Sequence, residues 1–166
     1  MRNLIFISYL CFISGLYSQN NPKYFMLEDS LVKEGVYIMM DVYYDLEKTF
    51  LRPESSAELD KLYLFLKRNP TLVIEIGNHV SVVTGQMCSD LSGGRAKSIA
   101  DYLSSKGIDR RRIVPKGYGE RKLIYTAEAI NKLKTEEEKQ IAHMKNRRTE
   151  IRILRNDFSA EPIEGK

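Results

Sequence analysis

From Val36 to Tyr44, "VYIMMDVYY", apolar side chains fall on every second position: Val36, Ile38, Met40, Val42 and Tyr44. A period of two puts them on one face of a strand. The segment "DLEKTFLRPESS" reads as a loop, with Pro53 where a helix can begin and Ser55 or Ser56 placed to cap it. Between Ala57 and Arg68 the apolar positions change period, and Leu59, Leu62, Phe65 and Leu66 follow helical spacing. "RNP" ends that helix, because the residue before Pro70 is driven out of the α region. Leu72 to Ile76 is a strand rich in β-branched residues. Ser92 reads as the N-cap of the next helix, with Ala96, Ile99, Ala100 and Leu103 as its buried stripe and Gly107 as its stop. Ile113 to Lys116 is short and partly apolar. Leu123 to Lys145 is long, charged and helical around "KTEEEKQIAHM", and Thr149 to Leu154 alternates as a last strand.

The resulting order, β-α-β-α-β-α-β, predicts one α/β sandwich in which helices cover a sheet. Composition supports a packed core: of 166 residues, 43% are hydrophobic and 29% charged. Residues 1–18 read as a secretory signal peptide, with Arg2 ahead of the apolar run "LIFISYLCFISGLY" and Ser18 at a small-residue cleavage point. Residues 19–35 read as a polar leader, 36–154 as the domain and 155–166 as a flexible tail. Loss of the signal peptide removes Cys11, leaves Cys88 without an intramolecular partner and, with Arg2 gone, takes the formal charge from +4 to +3. That mild basic balance does not point to nucleic acid. The chain is expected in the periplasm or associated with the outer membrane.

Candidate chemistry concentrates between Gly77 and Ala96, "GNHVSVVTGQMCSDLSGGRA". "LSGGR" matches the signature of ABC ATPases, but no GxxxxGK[ST] phosphate loop accompanies it. His79, with no acid following it, reads as a structural residue at a strand end. His143 reads as exposed on a charged helix, Arg110 to Arg112 as a solvated turn, and Glu136 to Glu138 as a solvated helix face. Of Tyr43 and Tyr44, one belongs to the core and one to the surface. Two histidines and one cysteine at unrelated positions make no metal site. No nucleophile is paired with a base by any motif, so neither catalysis nor a cofactor is expected.

Taken in order, "YYDLEKTFLRPESSAELDKL", "NPTLVIEIGNH", "LSGGRAKSIADYLSSKGIDRRRIVPKGYGE" and "NRRTEIRIL" resemble the OmpA-like C-terminal domain, in a version like those of Bacteroidetes-type bacteria. The resemblance runs over residues 36–154. It implies a mixed four-stranded sheet covered by helices, and a non-catalytic module that attaches to peptidoglycan. The implied partners are peptidoglycan, outer-membrane or envelope-complex proteins, and a second copy of the chain in a homodimer. A protein-interaction scaffold of a secretion or motility complex is the alternative reading.

The resemblance also implies a site. In the family an arginine holds the carboxylate of a diaminopimelate stem peptide, and it matches Arg95 of "LSGGRA", placed at a helix start. A guanidinium fork suits a carboxylate better than lysine does. Leu91 opens the same motif, Glu47 of "YYDLEK" matches the family's acidic position, and Arg147 and Arg148 of "NRR" lie near the site by the same analogy. The sequence departs from the family at the second half of the clamp. Ser81 stands where an aspartate pairs the ligand's ammonium group, Cys88 stands where an asparagine is usual, and the loop is shorter. Removing one partner of a buried charge pair costs about 3–5 kcal/mol. Asp90 reads as charge for the helix N-terminus, with a swing into the place of the missing acid as the alternative, and Gly93 and Gly94 weaken that helix by up to about 1 kcal/mol each.

Overall fold

The computed structural model describes residues 24–25, 33–81 and 88–160, without the side chains of 24–25 and 88–90. The signal-peptide reading of 1–18, most of the leader, the side chains of Cys88 and Asp90, and residues 161–166 lie outside the described residues.

Five strands form one mixed sheet in the order β1-β2-β5-β3-β4. They are β1 (Tyr24–Phe25), β2 (Tyr37–Met40), β3 (Leu72–His79), β4 (Ile113–Gly119) and β5 (Thr149–Asn156). The four longer ones are the strands read from the sequence, and β1 adds a two-residue edge parallel to β2. β5 is antiparallel to β2 and β3, whereas β3 and β4 run parallel. The expected first strand is shorter than its alternation suggests. After Met40 the chain leaves the sheet, and Tyr44 meets Leu51 across an isolated bridge. The last strand is longer, reaching Asn156, and Phe158 N–H donates to Thr71 O.

Two helices cover one face. α1 (Ser56–Arg68) presents Leu59, Leu62 and Leu66, and α2 (Cys88–Ser105) presents Ala96, Ile99, Ala100 and Leu103. They pack on Ile38, Met40, Leu72, Ile74, Ile76, Ile113, Ile151 and Ile153, all buried. Each fully buried leucine or isoleucine contributes roughly 1.5–3 kcal/mol. The alternate positions of β3 face the other way and carry Glu75 and His79. Glu75 accepts from the Tyr118 hydroxyl at 2.6 Å, and the Tyr118 ring stacks on His79 at 4.8 Å. His79 is structural, as expected, but it does have an acid: Glu150 Oε2 on β5 lies 3.3 Å from its Nε2.

Several local readings are corrected. Neither Ser55 nor Ser56 caps α1. Ser55 is fully buried, and its hydroxyl accepts from Tyr43 N–H and donates to Tyr43 O, which ties the loop to the helix. Ser92 is no N-cap either, because α2 begins at Cys88. Its buried hydroxyl accepts the N–H of Gly119 at 3.0 Å. Arg112 is not solvated; it is buried, with Nε donating to Leu72 O and Nη2 to Leu66 O and Asn69 O. The guanidinium thus ties the last turn of α1, at Leu66 O, to the start of β3, at Leu72 O. The long charged segment is two short helices, α3 (Ala127–Asn131) and α4 (Glu136–Asn146). Thr126 caps the first, and Thr135 with Glu138 forms a capping box on the second, so each helix start is separately specified.

Candidate functional site

Backbone contact fixes where α2 sits. A β-carbon on Gly117 would lie 2.4 Å from Gly93 N and 2.6 Å from Ser92 Oγ. Only glycine lets β4 pass that close beneath the helix. "KGYGE" and "LSGGR" are thus two sides of one contact, and Val80 N–H donates to Gly119 O to bring the end of β3 into it.

Arg95 projects from the second turn of α2. The expectation that it stands at the helix start is therefore corrected: with the helix beginning at Cys88, the macrodipole, which falls off within a turn, does not act at Arg95. Arg95 is held instead by the loop between Met40 and Pro53. Nε donates to Lys48 O at 2.9 Å and Nη2 to Asp45 O at 3.1 Å. The guanidinium carbon lies 4.7 Å from the centre of the Tyr44 ring, and the Tyr44 hydroxyl donates to Arg95 O. Ser98 Oγ donates to Thr49 O, a further tie between loop and helix. Arg95 is 8% exposed and has no carboxylate partner among the described residues. Burial, above all, and the like charge of Arg147 pull its pKa below the usual guanidinium value, against the influence of Tyr44. Burial also raises the Tyr44 hydroxyl well above its ordinary pKa. The two tyrosines divide as expected, with Tyr43 exposed and Tyr44 packed on the core.

Glu47 sits on the same loop, exposed, with φ 56°. It is the third residue of a turn closed by Lys48 N–H donating to Asp45 O, a position that favours glycine or asparagine. The carboxylate of Asp45 is 3.8 Å from Arg52, which also pairs with Glu54. Leu91 is half-buried in the first turn of α2.

Ser81 follows β3 and is 1% exposed. Its Oγ lies 2.6 Å from Nδ1 of His143 on α4, which corrects the reading of His143 as exposed: it is half-buried. The N–H of Arg147 donates to His143 O, so these two residues are one helical turn apart. Arg147 is exposed, and its like charge is the lesser of the two influences that lower the Arg95 pKa. The remaining "NRR" residues serve the fold. Asn146 is fully buried, accepts from Ile124 and Tyr125 N–H, and donates to Tyr125 O. Arg148 turns to the far face of the sheet, where Nε meets Glu150 Oε1 at 2.6 Å and Nη2 donates to Lys122 O.

The structure therefore gathers Arg95, Arg147 and Ser81 around one end of the sheet, keeps Glu47 on the loop that Arg95 anchors, and directs Arg148 elsewhere. Sequence reasoning missed His143 and the aromatic support from Tyr44. The signal for His143 was its spacing, four residues before Arg147 on a helix. Among the described residues no cluster of His, Cys, Asp or Glu is arranged to hold a metal ion, and no helix is long and apolar enough to cross a membrane.

The sequence model of the OmpA family matches residues 43–137. Outer membrane protein A of Bordetella avium is 34% identical over 115 residues, covering 69% of this chain and 54% of that protein. The chain thus spans about half the length of that relative. A MotB-like protein from Desulfovibrio vulgaris superposes with a TM-score of 0.58 at 19% identity, over 78% of this chain and 80% of the other. The peptidoglycan-associated lipoprotein from Burkholderia pseudomallei does so with a TM-score of 0.52 at 19% identity, over 68% and 86%. At those identities the structural likeness speaks for the fold, and with the family match over more than half of the sequence it leads to one conclusion: the chain belongs to the OmpA family.

Proposed function

We propose that this chain is a non-catalytic protein of the bacterial cell envelope, located in the periplasm or at the outer membrane, whose domain binds peptidoglycan through a carboxylate of the diaminopimelate stem peptide. The observation that carries this reading is the state of Arg95. It is buried, positioned by two loop carbonyls and a tyrosine ring, and left without a carboxylate among the described residues. A desolvated guanidinium without a counter-ion is costly to the fold unless a ligand supplies the anion. The peptidoglycan-associated lipoprotein among the structural neighbours supports the same ligand class.

The test is co-sedimentation of the protein with purified sacculi. Wild type is expected in the pellet and Arg95→Ala in the supernatant; equal sedimentation of the two, or none of either, contradicts the proposal. A second reading, attachment to an envelope-complex protein, is favoured by one feature: Ile141 and Met144 on α4 are 47% and 64% exposed, one helical turn apart. Crosslinking in intact cells from position 144 tests it, and crosslinks to glycan alone would count against it.

A further inference from the structure

β4 is the outermost strand of the sheet, paired with β3 on one side and, among the described residues, with no strand on the other. An open edge offers a row of backbone N–H and C=O groups to any chain able to add a strand. We propose that Arg110, Pro115 and Arg121 close this edge, so that a second copy of the chain cannot pair with it strand to strand, and that uncovering it turns β4 into a self-association surface.

Alternate residues of a strand direct their N–H and C=O groups to the same edge. Ile113, Pro115 and Gly117 are one such set. Proline in a sheet is confined to places where no ladder donor is needed, so this set faces outward, away from β3. Its groups are already engaged. Ile113 N–H donates to Arg110 O, and Ile113 O accepts from Arg110 Nη1 at 2.7 Å. Pro115 has no N–H to give. Gly117 O accepts from Arg121 Nη2 at 2.5 Å. An incoming strand is left at most Pro115 O and Gly117 N–H, one acceptor and one donor where a ladder needs several.

Both guanidinium groups come from the flanks of the strand itself, Arg110 three residues before its acceptor and Arg121 four after. The closure is therefore local. It also carries charge: two copies meeting edge to edge would crowd four guanidinium groups along one seam, and like charges facing across a strand pair are destabilising. The opposite edge is protected by other means, since β1 is only two residues long and a short edge strand gives a partner little to extend. Neither Arg110 nor Arg121 contacts Arg95 or its supporting loop, so the closure is independent of the ligand that site takes.

The experiment is sedimentation equilibrium of the full chain under reducing conditions, comparing wild type with a variant that combines Arg110→Ala, Pro115→Val and Arg121→Ala. The combined variant uncovers two carbonyls and restores one donor. Its mean mass is expected to reach about twice that of wild type as concentration rises, with new hydrogen-exchange protection at residues 113–117. Arg111→Ala with Lys132→Ala removes the same two positive charges from exposed positions and uncovers no β4 carbonyl, and it should keep the wild-type mass. A folded combined variant with the wild-type mass, an equal gain in the charge control, or association without protection at 113–117 overturns the inference. If the combined variant does not fold, Arg110→Ala with Arg121→Ala, which leaves Pro115 in place, is read by the same three outcomes.

Discussion

The Thr49 side chain lies against the bare Cα of Gly94: a β-carbon there would stand 2.6 Å from Thr49 Cγ2 and 3.3 Å from Thr49 Cβ. The second glycine of "LSGGR" is therefore a seat for the loop that Arg95 anchors. Its low helix propensity is the accompanying cost. Gly94→Ala is expected to lose about 1–3 kcal/mol through overpacking, against a gain of up to about 1 kcal/mol in helix propensity. Thr49→Ala in the same chain removes the clashing methyl and should recover most of the loss. Chemical denaturation of the two single variants and the double variant checks it, and strict additivity would show that the two residues do not meet.

Ser55→Ala tests the tie between loop and helix. The hydroxyl is fully buried and serves both the N–H and the carbonyl of Tyr43. Its removal leaves the Tyr43 N–H unpaired, while Tyr43 O keeps the N–H of Arg52, a loss of about 1–3 kcal/mol. Ser56→Ala, one residue on and exposed, should change stability by less than about 0.5 kcal/mol. Equal losses at the two positions would indicate helix capping after all.

Acid should destabilise the domain in two stages. Burial, above all, pushes the His79 pKa below its ordinary 6.5. A group that resists protonation in the fold weakens the fold once the unfolded chain takes up a proton, so stability falls as pH drops below about 6.5. Glu150 follows at lower pH. Burial acts to raise its pKa, but His79 and Arg148 together outweigh it and hold the carboxyl at about 2, against an ordinary 4.5. Its contribution is complete above about 4.5 and is lost as pH falls toward 2. Thermal melts from pH 8 to 2 should show both slopes. Glu150→Gln should remove the lower one and also cost about 3–5 kcal/mol at neutral pH by leaving Arg148 buried without its partner.

The parts of this fold that sequence made legible are those governed by periodicity. Strands β2, β3 and β5 and the stripes of α1 and α2 were visible because burial repeats every second or every third to fourth residue. Hydroxyls and charges were harder to place. Ser55 and Ser92 both sit where a helix cap is plausible, yet their partners, Tyr43 and Gly119, are 12 and 27 residues away. Arg112 belongs to a charged run whose neighbours Arg110 and Arg111 are exposed, and only the ends of α1 and β3 require it inside. The site was legible as a motif containing Arg95. Its support was not, because Asp45 and Lys48 contribute backbone carbonyls, which carry no side-chain signature. His143 escaped because its partner, Ser81, approaches from 62 residues away.

The most direct test of the account is calorimetric titration of a diaminopimelate-containing stem tripeptide into the protein and its Arg95→Lys variant. Lysine keeps the charge but offers no fork to span Asp45 O, Lys48 O and a ligand carboxylate together. The account predicts saturable binding to wild type, an affinity lower by about tenfold or more in the variant, and unfolding temperatures showing both proteins folded under the assay conditions. Equal affinities, or a wild-type protein that is folded and gives no heat, would contradict it.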